Sequence, residues 1–112
     1  MRRLPTALLV FAAACASDDP SPPVAPTALA VSLLGAGAHL TWQDNSNNED
    51  EFVIMRQKMG SDAAMVELAR VPFDTATYHD EPITSGATYL YMVTATNVAG
   101  DTSSNQATFV AP

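Results

Sequence analysis

The chain has 112 residues, of which 47% are hydrophobic and 15% charged, and its 5 basic and 12 acidic residues give a net charge of −7. This length allows one small domain, and this composition is typical of a folded chain. The acidic balance excludes binding to nucleic acid or to anionic lipid by charge, since both depend on Lys and Arg, and a single cysteine excludes an internal disulfide and a Cys-rich metal site.

The first fourteen residues are predicted to be a signal peptide. Arg2 and Arg3 form a basic start, an apolar run follows at 4–14, and this run ends in three alanines. The run is too short to cross a bilayer, which needs about 20 apolar residues. The order basic, apolar, small is typical of a secretory leader. We therefore expect residues 1–14 to be removed on export.

Cys15 is the single cysteine of the chain and directly follows this leader. The sequence AAAC at 12–15 resembles the bacterial lipobox, in which the cysteine is lipidated and becomes the mature N-terminus; Ala12 stands where the usual leucine would be. An unpaired thiol in an exported protein is otherwise open to oxidation. The resemblance implies a membrane anchor on Cys15, and Ala16 after it favours the outer membrane or the cell surface. The alternative is ordinary cleavage after Ala14 and a secreted soluble protein.

Residues 15–26 are predicted to form a lipidated tether. The segment ASDDPSPPVAP at 16–26 contains four prolines, which prevent a helix or a central strand and favour an extended polyproline II path. At about 3.1 Å per residue, this segment would span roughly 34 Å. We expect it to hold a domain off the membrane.

From residue 27 onward, apolar and polar residues alternate in short runs that turn residues separate. This pattern predicts an all-β antiparallel sandwich, and we find no helix signal. Seven strands are expected, at 29–33, 38–43, 52–55, 65–70, 77–80, 88–97 and 106–110.

Two of these runs resemble the fibronectin type III family. LTWQDNSNNEDEF at 40–52 looks like the second strand and following loop of that family, and SGATYLYMVTATNVAG at 85–100 looks like its penultimate strand and turn. Ile83 stands six residues before Tyr89, which is the spacing of the family's tyrosine corner. The resemblance implies a seven-stranded immunoglobulin-like sandwich over residues 27–112.

The resemblance also implies the core. Trp42 would be the family's buried tryptophan, and the hydroxyl of Tyr89 would hydrogen-bond to backbone a few residues upstream. Phe52 and Tyr91 fall on inward positions of the same pattern. Because indole and phenol each have a polar tip, we expect a hydrogen-bond partner for both Trp42 and Tyr89.

No catalytic constellation is predicted, so we expect no enzyme activity, no cofactor and no small-molecule substrate. His39 and His79 are interpreted as solvated histidines on outward strand positions, not as metal ligands. The acidic loop 44–51 offers alternating oxygen donors, but an EF-hand loop requires Gly at its sixth position and Glu at its twelfth, where Glu49 and Met55 stand. We interpret this loop as solvated, with weak calcium binding as the alternative.

The sequence thus predicts a non-catalytic cell-envelope lipoprotein whose domain is a protein-binding or spacer module. A carbohydrate-binding accessory module is the alternative, although most aromatic residues fall on inward positions and Phe73 alone is expected to face solvent. An enzyme with an unrecognised loop site is a further alternative. The candidate surface for a protein partner or for self-association is an apolar patch on the outer face of one sheet, formed by Val53, Met55, Leu90 and Met92.

Overall fold

The structure, a computed structural model, describes residues 20–112. The predicted signal peptide 1–14 and the predicted lipidation site Cys15 lie outside the described residues. Eight strands follow one another: β1 (Thr27–Leu34), β2 (Gly37–Gln43), β3 (Glu51–Lys58), β4 (Val66–Pro72), β5 (Thr77–Asp80), β6 (Thr88–Asn97), β7 (Gly100–Ser103) and β8 (Ala107–Val110). In this part of the chain, no helix is long and apolar enough to cross a membrane.

The strands form two antiparallel sheets. The smaller sheet has the order β1-β2-β5, and the larger has the order β4-β3-β6-β7, with β8 also paired to β6. This arrangement is an antiparallel β-sandwich, as the alternating pattern predicts, and it is of the immunoglobulin-like type that the family resemblance implies.

The strand count is eight and not the predicted seven, because two strands, β7 and β8, pair with β6 where the sequence predicts one. The backbone N–H of Ser104 donates to the carbonyl of Val93 at 2.8 Å, and the Ser104 hydroxyl accepts the Val93 N–H at 3.0 Å. A side-chain acceptor thus replaces one backbone acceptor in the hydrogen bonding between β6 and this segment. It separates β7 from β8 without leaving buried polar groups unpaired.

The core lies between the sheets and is built by the inward half of each alternating strand. Trp42 is 6% exposed and meets the ring of Phe52 edge to face, at 5.6 Å between centroids. Tyr89 and Tyr91 are buried and stacked at 6.1 Å. All four residues predicted for the core are therefore inside it.

Of the two polar tips in the core, one has a hydrogen-bond partner and the other has none. The Tyr89 hydroxyl accepts the backbone N–H of Thr84 at 2.7 Å, as the tyrosine-corner resemblance implies. The indole N–H of Trp42 has no hydrogen-bond partner within residues 20–112. The expectation of a partner for Trp42 is therefore wrong: its ring packs on the apolar ring of Phe52, which offers the indole N–H no oxygen acceptor.

Strand register defines two ends of the sandwich. At the amino-terminal end, the start of β1 meets the end of β2, with loops 44–50 and 73–76 nearby. At the carboxyl-terminal end, the start of β6 pairs with the end of β8, so that Pro112 lies there together with the β1–β2 turn.

The proline-rich segment is not a free tether over its whole predicted length. Pro23 and Pro26 are buried. The carbonyl of Ser21 accepts the side-chain amides of Asn48 and Asn97 at 3.1 and 2.8 Å, and the Pro23 carbonyl accepts the hydroxyl of Thr102 at 2.9 Å. Residues 20–26 therefore belong to the domain and lie against its amino-terminal end, because an extended proline-rich chain leaves its carbonyls free to accept such bonds.

Candidate functional site

The predicted partner surface lies on the outer face of the larger sheet. Met55 on β3 is directly opposite Met92 on β6, and Leu90 is opposite Gln57 two residue pairs further along. The three apolar side chains are half-buried, whereas Val53 is only 7% exposed. The prediction of an exposed apolar patch is therefore wrong for Val53, and the patch is smaller than expected.

Charged side chains explain the burial of Val53. Arg70 on β4 is its cross-strand neighbour, and the guanidinium of Arg70 pairs with Glu51 at 2.8 Å and with Glu67 at 3.0 Å. Glu51 stands two residues before Val53 and so shares its face of the strand. The long side chains of this ion-pair network flank Val53 and reduce its contact with solvent.

A charged cluster that the sequence analysis did not predict joins the two sheets. Asp80, at the end of β5, is 5% exposed. Its carboxylate accepts two hydrogen bonds from Nη1 of Arg56 on β3, at 3.0 and 3.3 Å, and one from the hydroxyl of Tyr91 on β6, at 2.6 Å. Burial raises the pKa of the Tyr91 hydroxyl, and its hydrogen bond to Asp80 raises that pKa further. The Arg56 guanidinium also lies 5.4 Å from the ring centroid of Tyr89, within cation–π range.

The two histidines are neighbours, which their separation in sequence does not suggest. His39 on β2 pairs with His79 on β5 in the strand register, and the ring centroids are 6.1 Å apart. Nε2 of His79 lies 3.0 Å from a carboxylate oxygen of Glu81. His39 is half-buried, and its Nδ1 is buried without a hydrogen-bond partner within residues 20–112. The interpretation of both as solvated residues is therefore wrong for His39.

The acidic loop does not bring its alternating donors together in the way an EF-hand loop would. The Asp44 carboxylate accepts the backbone N–H of Ser46 at 3.1 Å, and the Ser46 hydroxyl donates to Asn48. Asp50 is exposed at the end of the loop. These bonds hold the loop itself and explain its alternating polar residues.

A different acidic group converges at the amino-terminal end. Asp44, Glu49 and Asp74 each place one carboxylate oxygen within 4.8 Å of those of the other two. Within residues 20–112, this is the one group of at least three His, Cys, Asp or Glu side chains whose ligand atoms lie close enough together to hold a single metal ion. Glu49 is only 6% exposed, and burial raises its pKa, as does the neighbouring charge of Asp44. The sequence suggested the loop but not Asp74, which lies 25 residues beyond Glu49.

The described residues form a cleft at each end of the sandwich. A polar cleft of about 540 Å³ opens at the amino-terminal end between segment 20–26 and loop 44–50. A smaller, more apolar cleft of about 200 Å³ lies at the carboxyl-terminal end and is lined by Leu33, Ile83, Ala111 and their neighbours. Leu33 and Leu34 are 51% and 53% exposed there.

Phe73 is 61% exposed, as expected, and stands alone as an aromatic ring in solvent among the described residues. Sugar-binding platforms rely on stacking against such rings. One isolated ring on a loop supplies little of that surface.

The described sandwich is similar to solved fibronectin type III domains. A domain of human collagen XX matches with a TM-score of 0.66 at 19% identity, over 79% of this chain and 90% of its own. A Fn3-like protein from Clostridium thermocellum matches with a TM-score of 0.65 at 26% identity, over 80% of this chain and 94% of its own. The pectate lyase Pel3 from Pectobacterium carotovorum matches with a TM-score of 0.68 at 17% identity, over 80% of this chain and 27% of the lyase.

No protein-family model and no curated protein matches the sequence. The structural matches nevertheless agree with the two-sheet antiparallel sandwich described above. The described part of the chain therefore has the fibronectin type III fold.

Proposed function

We propose that this chain is a non-catalytic protein-binding or spacer module, held at a bacterial cell envelope by lipid on Cys15. The observation that carries the proposal is the position of segment 20–26. This segment lies against one end of a fibronectin type III-like sandwich, so an anchor just upstream of it would fix which end faces the membrane.

The distance between anchor and domain follows from the chain. Cys15 is five residues before Pro20, and an extended chain covers at most about 3.3–3.6 Å per residue, or roughly 18 Å in total. The anchored domain would therefore lie close to the membrane, with its amino-terminal end toward the lipid. The carboxyl-terminal end, with the exposed Leu33 and Leu34, would face away.

A non-catalytic role is supported by the hydrogen bonds of two buried polar side chains, Asp80 and Ser104. Asp80 is bonded to Arg56 and Tyr91, and the buried Ser104 hydroxyl is bonded to backbone on both sides. These hydrogen bonds stabilise the fold, and they occupy the polar atoms that a substrate would otherwise contact. The binding role is supported by the apolar cleft at the carboxyl-terminal end, since exposed apolar surface often marks an interaction site.

The anchor is tested by expressing the chain in a bacterial host and separating membranes from soluble protein. Wild-type protein should incorporate labelled fatty acid and stay with membranes in high salt, whereas Cys15→Ser should lose the label and become soluble. Ser17→Ala is the matched control, because it alters a neighbouring small residue and keeps the thiol. A Cys15→Ser protein that remains in the membrane fraction contradicts the anchor.

Binding and spacing are separated by chemical cross-linking on intact cells. If the domain binds a protein, the wild-type chain forms a defined adduct that Leu33→Lys loses. Val98→Lys is the control, because Val98 is 84% exposed near the amino-terminal end. A spacer forms no defined adduct in any of the three proteins.

Carbohydrate binding is the second candidate function, which the likeness to part of a pectate lyase favours; the exposed Phe73 is the ring that such binding would use. Affinity electrophoresis in a gel containing pectate tests it. Retardation of wild-type protein that Phe73→Ala abolishes would support this function over protein binding, and unchanged mobility would exclude pectate as the ligand.

A further inference from the structure

Two loops of different origin meet at the amino-terminal end and bring three carboxylates together. Asp44 follows β2 of the smaller sheet, Glu49 precedes β3 of the larger sheet, and Asp74 lies in the loop between β4 and β5. One oxygen of each lies within 4.8 Å of the others. Three like charges at this separation repel one another strongly unless something neutralises them.

The described residues supply no such neutralising group. Their Lys and Arg side chains form hydrogen bonds or ion pairs elsewhere in the fold: Arg56, Lys58 and Arg70. No ion pair within residues 20–112 includes Asp44, Glu49 or Asp74.

An independent observation points to a ligand at the same place. Glu49 is only 6% exposed, so more than nine-tenths of the residue is buried. Its Oε1 is buried and has no hydrogen-bond partner in residues 20–112. Its other oxygen, Oε2, accepts the backbone N–H of Asp74 at 3.3 Å, which turns the carboxylate toward the second loop. A buried carboxylate oxygen without a partner is costly, so this atom is suited to an ion.

We propose that Asp44, Glu49 and Asp74 form a site for a hard divalent cation, with Ca²⁺ as the preferred ion. All three ligands are carboxylate oxygens, which Ca²⁺ binds at 2.3–2.6 Å, so opposite ligands lie about 4.6–5.2 Å apart. Oxygens that all lie within 4.8 Å of one another can reach one such ion. Mg²⁺ dehydrates reluctantly and requires near-ideal octahedral geometry at about 2.0–2.1 Å, so it is less suited to three side chains from two loops. Asp44 is half-buried and Asp74 exposed, which leaves room for waters as the remaining ligands.

The bound ion would connect loop 44–50 to loop 73–76 and thereby join the two sheets at one end. This inference is independent of the lipid anchor and of any partner. The acidic loop would then bind the ion together with Asp74 of the other loop, and not through the alternating oxygen donors within its own sequence.

The test is calorimetric titration of the purified chain with CaCl₂ alone in chelator-treated buffer, together with thermal unfolding. We expect a dissociation constant of about 10⁻⁴–10⁻³ M, the range of extracellular calcium modules. At a Ca²⁺ concentration ten to a hundred times the dissociation constant, the melting temperature should rise by roughly 5–20 °C. MgCl₂ should bind at least tenfold more weakly.

Three variants locate the ion. Glu49→Gln should abolish the heat of binding and the melting shift, and Asp74→Asn, on an exposed residue, should weaken binding at least tenfold while keeping the fold. Asp50→Asn is the matched control, since it removes the same charge from the same loop, and it should bind Ca²⁺ as wild type does. The proposal is overturned if wild type shows no binding up to about 10 mM, above the expected range. It is also overturned if Asp50→Asn weakens binding as much as Glu49→Gln, or if Mg²⁺ binds as tightly as Ca²⁺.

Discussion

The substitution Asp80→Asn tests the cluster that joins the two sheets. Asp80 is 5% exposed and accepts charged hydrogen bonds from Arg56 and a short one from Tyr91. Asparagine has the same shape but removes the charge, so the Arg56 guanidinium loses its counter-ion. Breaking a buried ion pair typically costs about 3–5 kcal/mol. Because the Arg56 side chain is 23% exposed and retains some contact with water, we expect the lower end, about 3 kcal/mol.

A loss of this size is large for a domain whose total stability is about 5–15 kcal/mol. It corresponds to a fall in melting temperature of roughly 12–24 °C for a domain of this length. Urea unfolding followed by the fluorescence of Trp42, the single tryptophan, measures the free energy of unfolding. Glu67→Gln is the control, since it breaks an ion pair on the surface, where such pairs contribute little.

A double-mutant cycle with Arg56→Gln separates the ion pair from other effects. If the two side chains interact as the structure shows, the losses in the single variants should not add, and the coupling energy should exceed about 1 kcal/mol. An Asp80→Asn variant that unfolds at the same urea concentration as Glu67→Gln, or single losses that add, would show that this ion pair does not stabilise the fold.

Three further predictions concern the core. Trp42→Ala should lower the free energy of unfolding by about 3–5 kcal/mol, because it removes a large buried ring packed on Phe52; a chemical denaturation midpoint equal to wild type would contradict that packing. Tyr89→Phe should cost about 1–3 kcal/mol, since the Thr84 N–H loses its acceptor, and the same denaturation series measures it, with an unchanged midpoint counting against the tyrosine corner. For Tyr91, the folded state raises the hydroxyl pKa above its ordinary value of about 10, so the folded state keeps a proton that the unfolded state loses. Its stabilising contribution is therefore present below pH 10 and is lost as pH rises further, and the fall in melting temperature between about pH 9 and pH 11 should be smaller in Tyr91→Phe than in wild type.

The fold was largely predictable from the sequence because apolar and polar residues alternate along its strands, most regularly along the central strand β6. Along β6, every second residue from Tyr89 to Ala95 is buried, and such a period of two specifies both the strand and its inward face. The split between β7 and β8 was not predictable in this way. It depends on the Ser104 hydroxyl bonding across to Val93, a contact between residues 11 positions apart.

The candidate sites depend on which strands and loops become neighbours, and periodicity does not determine this. Val53 alternates as an outward residue, yet Arg70 on the next strand and its acidic partners flank it. Asp74 reaches Glu49 only because loop 73–76 and loop 44–50 end at the same side of the sandwich. Arg56 had one visible signal: it continues the inward series of Phe52 and Ile54, and a charge at such a position needs a buried partner.

The lipid anchor on Cys15 is the central claim of the proposed function. Intact-mass spectrometry of the chain, extracted with detergent from a bacterial host, tests it most directly. We expect a polypeptide that begins at Cys15 and carries a diacylglyceryl group and an N-acyl chain on that cysteine. A mass that corresponds to an unmodified Cys15, or to a chain that retains residues 1–14, would contradict it.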